Sequence, residues 1–226
     1  MAARQAAGNG RREEILLCAV KVIAARGYAE TRIAHIAECA GVSQALVIYY
    51  FQTRDRLLAE ALELSEEAFY SSATAALAVI PGARDKLVRL LELCCAPGEP
   101  GSAEGGSWVL WMELWTVAVR SPEVARIRAR LDARWRETIA GIVRQGERSG
   151  EFKRVDVDEF SIRLAALTDG LAVQLALGDS AVSPERMFQI CVRMCVDELG
   201  FTAPRRRAFP RPAPVQRVRR RVAAPS

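Results

Sequence analysis

Side chains suited to reading nucleic-acid bases open the stretch SQALVIYYFQTR, which begins at Ser43. The amide of Gln44 donates and accepts hydrogen bonds at once, the pattern that matches the edge of adenine. Ala45 and Leu46 beside it are apolar and can touch the methyl group of thymine. We therefore expect Ser43, Gln44, Ala45 and Leu46 to approach base edges.

Groups that bind phosphate flank this segment on both sides. The hydroxyl groups of Tyr49 and Tyr50 can donate to phosphate oxygens, and the guanidinium groups of Arg32 and Arg54 add positive charge. Arg54 lies at the expected start of a helix, where the free amide groups also favour an anion. We expect these four side chains to hold the phosphate backbone.

The preceding residues predict how these side chains are positioned. Thr31 is expected to cap a helix over about 31–39 with its hydroxyl oxygen. One face of that helix is apolar, and it consists of Ile33, Ile36 and Ala37, extended by Ala40. Gly41 provides the conformational freedom of a sharp turn.

A second short helix and a longer third one are expected after the turn. Ser43 starts a helix over about 43–49, with Val47 and Phe51 spaced to be buried, and Thr53 caps the next helix. Two helices across a tight turn form a helix-turn-helix, whose second helix can enter the major groove.

The ordered elements GVS, QA, YYF and TRDRLL resemble the DNA-binding domain of TetR-family transcriptional regulators. Upstream, Arg11 and Arg12 precede ILLCAVKVIAARGY, in which Gly27 and Tyr28 end the helix as in the family's first helix. Two positions differ from the family pattern: Ile48 replaces an aromatic residue or His, and Tyr50 replaces a frequent His. Ile48 has no group that can donate to a phosphate.

The resemblance implies an all-α chain with a three-helix N-terminal DNA-binding domain and a six-helix domain for ligand binding and dimerisation. We predict a flexible N-terminus (1–10), a helix-turn-helix domain (11–52), a ligand-binding and dimerisation domain (53–200), and a disordered Arg/Pro-rich tail (201–226).

Helical periodicity runs through most of the chain, with Pro and Gly at the breaks rather than inside segments. The remaining helices are predicted at 11–26, 53–79, 82–95, 105–119, 121–149, 156–178 and 183–199. Residues 96–106, APGEPGSAEGG, are expected to be a flexible connection.

Bulk properties limit the possible functions. The net charge of +5 comes from eight arginines between residues 205 and 221, so the rest of the chain is net acidic. No signal peptide or membrane-spanning run is recognisable, and we expect a cytoplasmic protein. His35 has no partner at a spacing typical of zinc ligands and is expected to face solvent or phosphate.

The six cysteines are predicted to be reduced and structural. Cys18 and Cys39 fall on faces expected to be buried, and Cys191 and Cys195 share one helix face. None of the six, which include Cys94 and Cys95, has the CxxC spacing typical of a metal site, and no metal or cofactor is expected.

The segment SWVLWMELWTVAV places Trp108, Trp111, Met112 and Trp115 on one helix face. This face is either packed core or the wall of an apolar ligand cavity, and the resemblance favours a cavity. Glu113 interrupts the apolar run, so it should pair with Arg128 or Arg134 or face a ligand. Together with Asp169, these residues form our predicted pocket for a largely apolar or aromatic effector. This half is also loosely similar to betaine-responsive repressors.

The last two helices, 156–178 and 183–199, are apolar on more than one face. Either both faces are covered within one chain, or the two helices form a four-helix bundle with a second copy. The resemblance implies the homodimer. The Arg-rich tail either adds nonspecific phosphate affinity or is a solvated extension without function.

The sequence is therefore interpreted as a homodimeric transcriptional regulator, most simply a repressor. It would bind a pseudo-palindromic double-stranded operator and be released by a small molecule. An enzyme using Glu113 or Asp169 as acid or base and a helical adaptor that binds protein are the alternatives. No catalytic Ser/His or Cys/His set supports the enzyme.

Overall fold

A computed structural model describes residues 2–27, 29–95 and 108–202. Within these ranges the chain forms nine α-helices and no strand. They are α1 (Ala2–Arg26), α2 (Ile33–Ala40), α3 (Gln44–Phe51), α4 (Arg54–Ala78), α5 (Ala83–Cys95), α6 (Trp108–Ala118), α7 (Pro122–Ser149), α8 (Val157–Ala176) and α9 (Pro184–Leu199). Tyr28, the whole connection 96–106 and all but two residues of the predicted tail lie outside the described residues.

Helix α1 begins at Ala2, nine residues before the predicted start. Residues 2–10 therefore continue the first helix towards the N-terminus. The helix ends where expected, because Gly27 has φ 77° and its amide donates to the Ile23 carbonyl at 2.8 Å. A left-handed residue of this kind closes a helix with little strain only when it is glycine.

Side-chain caps start α3 and α4 as predicted. The Ser43 hydroxyl oxygen accepts from the Leu46 amide at 3.2 Å, and that of Thr53 accepts from the Arg56 amide at 3.1 Å. Each bond satisfies one of the free amides of a first helical turn.

The predicted cap of α2 is wrong. Thr31 is fully buried, and its hydroxyl donates backwards to the Gly27 carbonyl at 2.7 Å. The residue at the N-cap is Arg32, whose backbone amide donates to Nδ1 of His35 at 3.2 Å. Threonine is a typical N-cap residue, which suggested Thr31 as the cap of α2. The Thr31 hydroxyl instead donates to the carbonyl at the nearby end of α1.

The N-terminal core is closed by residues from the other half of the chain. Ile36, Ala37, Val47 and Phe51 are buried in it, as predicted, together with apolar residues of α1 and the first turns of α4. Leu114 of α6 and three residues of α7, Val124, Ile127 and Leu131, belong to the same cluster. The predicted boundary at 52/53 therefore does not separate two hydrophobic cores.

A second core fills the space between α5, α7, α8 and α9. It extends past the end of α9, because Phe201 is 8% exposed and its ring centroid lies 5.4 Å from that of Phe152. The tail prediction, which began at residue 201, is therefore wrong for Phe201. The first turn of α5 is capped by a residue that is distant in sequence. The Glu151 carboxylate accepts hydrogen bonds from the amides of Ala83 and Arg84 at 3.0 and 3.1 Å.

The six cysteines are free thiols. Cys94, Cys95, Cys191 and Cys195 are buried, but Cys39 is exposed and Cys18 only half-buried, which corrects the prediction for that pair. Burial, and secondarily the neighbouring Cys39, raises the pKa of Cys18 to about 11. In the described ranges, no helix is both long and apolar enough to span a membrane.

Candidate functional site

The exposed face of α3 carries most of the residues predicted to read bases. Gln44 and Ala45 are exposed, and one turn later Ile48 and Tyr49 are 52% and 75% exposed. These four positions share one helix face, since residues four apart lie above one another. Leu46 is only half-buried at the edge of that face. Ile48, which cannot donate to a phosphate, adds an apolar side chain there.

The turn before α3 is rigid. Gly41 has φ 62°, and the Val42 amide donates to the Ala37 carbonyl at 2.9 Å. The Ser43 hydroxyl oxygen is engaged in capping, so its position at the tip of the helix is fixed. The turn and the buried Val47 together set the angle at which α3 projects.

The four predicted phosphate ligands differ in their surroundings. Arg32 and Tyr49 are exposed, and Tyr50 is half-buried with its ring edge against Tyr49 at a centroid distance of 5.5 Å. Arg54 is half-buried, and its Nη1 donates to the Thr31 carbonyl at 3.1 Å. Arg54 therefore ties the start of α4 to the start of α2, in addition to the phosphate role predicted for it.

A tight backbone turn joins α3 to α4. Gln52 has φ 62° and ψ −53°, and the Thr53 amide donates to the Phe51 carbonyl at 2.6 Å. This bond between residues two apart defines a γ-turn of the rare, strained type. The side chain of Gln52 accepts from Arg56 Nη1 at 3.0 Å. The strained turn connects the exposed helix directly to α4.

A second candidate site is a cavity of about 210 Å³ among α4, α5, α6, α7 and α8. Six aromatic side chains contribute to its wall: Phe69, Tyr70, Trp108, Trp111, Trp115 and Trp135. One ring face of Tyr70 is covered by the Arg134 guanidinium, 4.0 Å from the centroid. The indole nitrogen of Trp115 is buried and has no hydrogen-bond partner among the residues that the structure describes.

Four charged side chains share this wall: Arg128, Asp132, Arg136 and Asp169. Arg128 Nη2 and Asp132 Oδ2 form an ion pair at 2.7 Å, so their charges offset one another. Asp169 lies beside this pair on α8. Burial, and secondarily the Asp132 charge, raises the pKa of Asp169 to about 6, although Arg128 opposes the shift. At neutral pH, Asp169 therefore presents negative charge to an aromatic cavity.

Of the predicted pocket residues, Trp108, Trp111, Trp115 and Asp169 line the cavity, but Met112 and Glu113 do not. Two residues along a helix correspond to a rotation of about 200°, so Glu113 lies opposite Trp111 and Trp115. Its Oε1 would be 3.1 Å from a Cβ at Gly27, which places the carboxylate against the end of α1.

The suggested partners of Glu113 are also wrong. Arg128 pairs with Asp132, and Arg134 pairs with Glu67 at 2.6 Å. Sequence reasoning missed the contributions of α4 and α7 to the cavity. Asp132, Trp135 and Arg136 occupy spacing i, i+3 and i+4 on α7, and that spacing was a usable signal for a shared face.

Two models of known protein families match the chain. Residues 15–61 match the family described as bacterial regulatory proteins of the tetR family, and residues 83–200 match the C-terminal domain of BetI-type transcriptional repressors. The HTH-type transcriptional regulator BetI of Ectopseudomonas mendocina is 25% identical over 191 residues, which cover 80% of this chain and 89% of that protein.

Two solved structures are also similar. A putative transcriptional regulator from Saccharomonospora viridis, crystallised in complex with choline, is 33% identical with a TM-score of 0.75, covering 84% of this chain and 96% of that one. A TetR transcription regulator from Haloarcula marismortui is 25% identical with the same TM-score, covering 84% and 99%. The chain therefore belongs to the TetR family of transcriptional regulators, and its C-terminal domain is of the BetI repressor type.

Proposed function

We propose that this regulator is a homodimeric repressor that binds a pseudo-palindromic operator and is released by a small quaternary ammonium effector. One observation carries the proposal: α6 lines the aromatic cavity on one face and enters the core of the DNA-binding domain on the other. Trp111 and Trp115 contribute to the cavity wall, whereas Leu114 is fully buried in the N-terminal core.

The wall of the cavity suits a cation that has no hydrogen to donate. Aromatic ring faces attract a quaternary ammonium group through their quadrupoles, and such groups are typically bound by cages of aromatic side chains. Asp169 adds a negative charge that the Arg128–Asp132 pair does not cancel. The Saccharomonospora viridis protein, solved with choline, supports this effector class. The proposed cation replaces the largely apolar or aromatic effector that the sequence predicted.

Signal transmission would use contacts already in place. An effector that moves Trp111 and Trp115 moves Leu114 and Glu113 on the same helix. Glu113 faces the end of α1, and Leu114 packs in the core that supports α3. A small rotation of α6 would thereby change the separation of the two recognition helices in a dimer, which must match successive major grooves.

The dimer is supported by apolar surface on α8 and α9. Leu177, at the end of α8, is 71% exposed, and Ile190 and Met194 on α9 are only partly buried. A second copy packed against this surface would cover it. Sedimentation at micromolar concentration tests this directly, with Ile190→Arg expected to dissociate the dimer and Arg193→Ala, at an exposed neighbouring position, to leave it intact.

The proposal as a whole is tested by footprinting the purified protein on the DNA flanking its own gene, with and without choline. We expect a symmetric protected site that choline releases. A dimer that protects no DNA would instead favour the adaptor or enzyme alternatives. The proposal assigns the protein no catalytic role and a cytoplasmic location, where it would reach its operator.

A further inference from the structure

Two cysteine thiols meet where α1 and α2 pack together. Cys18 lies on α1 and Cys39 near the end of α2, and their side chains are within hydrogen-bonding reach of each other. Two cysteines can form a disulfide only where the backbone already brings their side chains close together. The fold therefore provides this condition inside the DNA-binding domain, away from the aromatic cavity.

The two thiols differ in their access to solvent. Cys39 is exposed, whereas Cys18 is half-buried and packs against the N-terminal core. Burial, and secondarily the hydrogen bond with Cys39, raises the pKa of Cys18 to about 11. The thiolate is the reactive form of cysteine, so Cys18 reacts slowly with a dissolved oxidant at neutral pH. Such an oxidant meets Cys39 first.

A second pair of thiols shows what access adds to proximity. Cys95 on α5 and Cys191 on α9 are also within hydrogen-bonding reach of each other, but both are fully buried in the second core. A dissolved oxidant does not reach them while the protein is folded. Of these two pairs, the Cys18–Cys39 pair combines close thiols with one that is open to solvent.

We propose that Cys18 and Cys39 form an oxidation site, at which a peroxide produces a disulfide that links α1 to α2 and lowers the affinity of the protein for DNA. In a reducing compartment, disulfides are usually transient and redox-sensing rather than structural. This inference does not depend on the proposed effector.

The oxidation takes two steps. The Cys39 thiolate attacks one oxygen of hydrogen peroxide, the O–O bond breaks, and the departing hydroxide takes up a proton to leave as water. Cys18 then attacks the sulfur of the resulting sulfenic acid. The S–S bond forms as the S–O bond breaks, and the Cys18 proton leaves with the hydroxide as a second water. The two thiols lose two electrons and the peroxide gains them.

The position of Cys39 connects this bond to DNA binding. Cys39 lies two residues before Gly41, whose φ of 62° begins the turn into α3, and the Val42 amide ties that turn to the Ala37 carbonyl. A covalent bond draws the last turn of α2 towards Cys18 on α1. Because the turn follows directly from this end of α2, the angle at which α3 projects changes with it.

The test treats the reduced full-length protein with hydrogen peroxide and then alkylates the remaining free thiols under denaturing conditions. Peptide mass mapping should show one crosslink, between the peptides that contain Cys18 and Cys39, while Cys95 and Cys191 are alkylated. The affinity for the footprinted operator should fall about 5-fold or more, in the range typical of coupling between sites. Dithiothreitol should restore it.

Serine variants separate the two roles. Cys39→Ser should bind the operator as tightly as the reduced protein and should not respond to peroxide. Cys18→Ser should accumulate a sulfenic acid at Cys39, which dimedone labels, and should form no crosslink within the chain. The Cys95–Cys191 pair, present in both variants, is the internal control for oxidation of close but buried thiols.

Each possible failure has a separate meaning. If no crosslink forms, if Cys39 links two copies of the chain instead, or if Cys95–Cys191 is oxidised as fast, the proposed site is overturned. If the Cys18–Cys39 disulfide forms and the operator affinity is unchanged, its effect on DNA binding is overturned. The mass map requires neither DNA nor effector, so these results are independent of whether the protein is a choline-released repressor.

Discussion

At the scale of single residues, Asp169 combines a cost to the stability of the fold with the binding role that we propose for it. A carboxylate in an aromatic cavity loses water contacts, and its ionised form is disfavoured unless a cation replaces them. The pKa of Asp169, raised to about 6 from an ordinary 3.8, expresses that cost. A charged residue that lies in a cavity wall although it lowers the stability of the folded protein is a candidate for ligand binding.

The first prediction concerns Asp169 and pH. Because the folded pKa is raised, the folded protein retains a proton that the unfolded chain has released, so stability falls as pH rises from about 4 to about 6. Asp169→Asn removes this effect and should stabilise the ligand-free protein at pH 7.5 by up to about 3 kcal/mol. Urea unfolding at pH 5 and pH 7.5 measures it.

The same variant should lose affinity for choline at pH 7.5, and the affinity of the unmodified protein should fall below pH 6 as Asp169 becomes protonated. Asp158→Asn, at an exposed position on the same helix, is the control for both measurements. If Asp169→Asn destabilises the protein and binds choline normally, Asp169 is a structural residue.

The second prediction assigns roles on α3. Tyr49→Phe removes one hydroxyl from the exposed face. If that hydroxyl binds phosphate, the affinity of the protein for DNA should fall equally on all operator sequences. Gln44→Ala should relax the preference at one base position per half-site by about 1–3 kcal/mol. Binding to a set of single-substitution operators decides this, and equal losses for both variants on every sequence would show that the register of α3 is wrong.

At the scale of elements, local signals predicted where most helices begin and end. Ser43, Thr53 and Ser121 start helices because each accepts a hydrogen bond from the amide three residues ahead, a local pattern that the sequence can predict. The start of α5 could not be predicted from local sequence, because the Ala83 amide donates to Glu151, which is 68 residues away in the chain. Thr31 was assigned wrongly for a different reason: its acceptor, the Gly27 carbonyl, is only four residues back in the chain but belongs to the end of the preceding helix.

The third prediction concerns the strained turn between α3 and α4. Gln52→Gly and Gln52→Ala both remove the side-chain hydrogen bond to Arg56. Only glycine adopts the positive φ without steric cost, so Gln52→Gly should be more stable than Gln52→Ala by about 1 kcal/mol or more. The difference in free energy of unfolding between the two variants isolates the strain, and equal stabilities would mean that the chain relaxes this turn at no cost.

At the scale of the whole molecule, the two cores do not coincide with the two predicted domains. The sequence indicated an apolar face on α6 but could not show that Leu114 on its other side enters the N-terminal core. It also indicated tryptophans for a cavity, but not that Phe69, Tyr70 and Trp135 would complete the wall. Such associations depend on how distant helices pack, which periodicity within one helix does not encode.

Ion pairs also connect α4 to its neighbouring helices. Glu63 pairs with Arg130 and Glu67 with Arg134, so two successive turns of α4 are held to α7. Arg12 and Arg56 both pair with Glu60 nearer the DNA-binding end of the same helix. The two pairs with α7 are largely exposed, so each contributes little to stability, and their effect is to fix the register of α4 against α7.

The last prediction defines where the folded molecule ends and whether the arginine-rich segment binds DNA. Truncation after Thr202 should leave the free energy of unfolding unchanged, because Phe201 is retained. Truncation after Gly200 removes Phe201 from its position against Phe152 and should destabilise the protein by about 3–5 kcal/mol. Urea unfolding of the two truncated proteins beside the full-length chain compares them directly.

The truncation after Thr202 then serves as a folded protein that lacks all eight arginines between residues 205 and 221. If those arginines neutralise phosphates, the slope of log affinity against log salt should decrease by about 0.9 for each phosphate that is no longer neutralised, equally on specific and nonspecific DNA. Measuring operator affinity at salt concentrations from roughly 50 to 300 mM gives this slope for both proteins. An unchanged slope would show that the arginine-rich segment makes no contribution to DNA binding, and recognition would then depend on α2, α3 and the start of α4 alone.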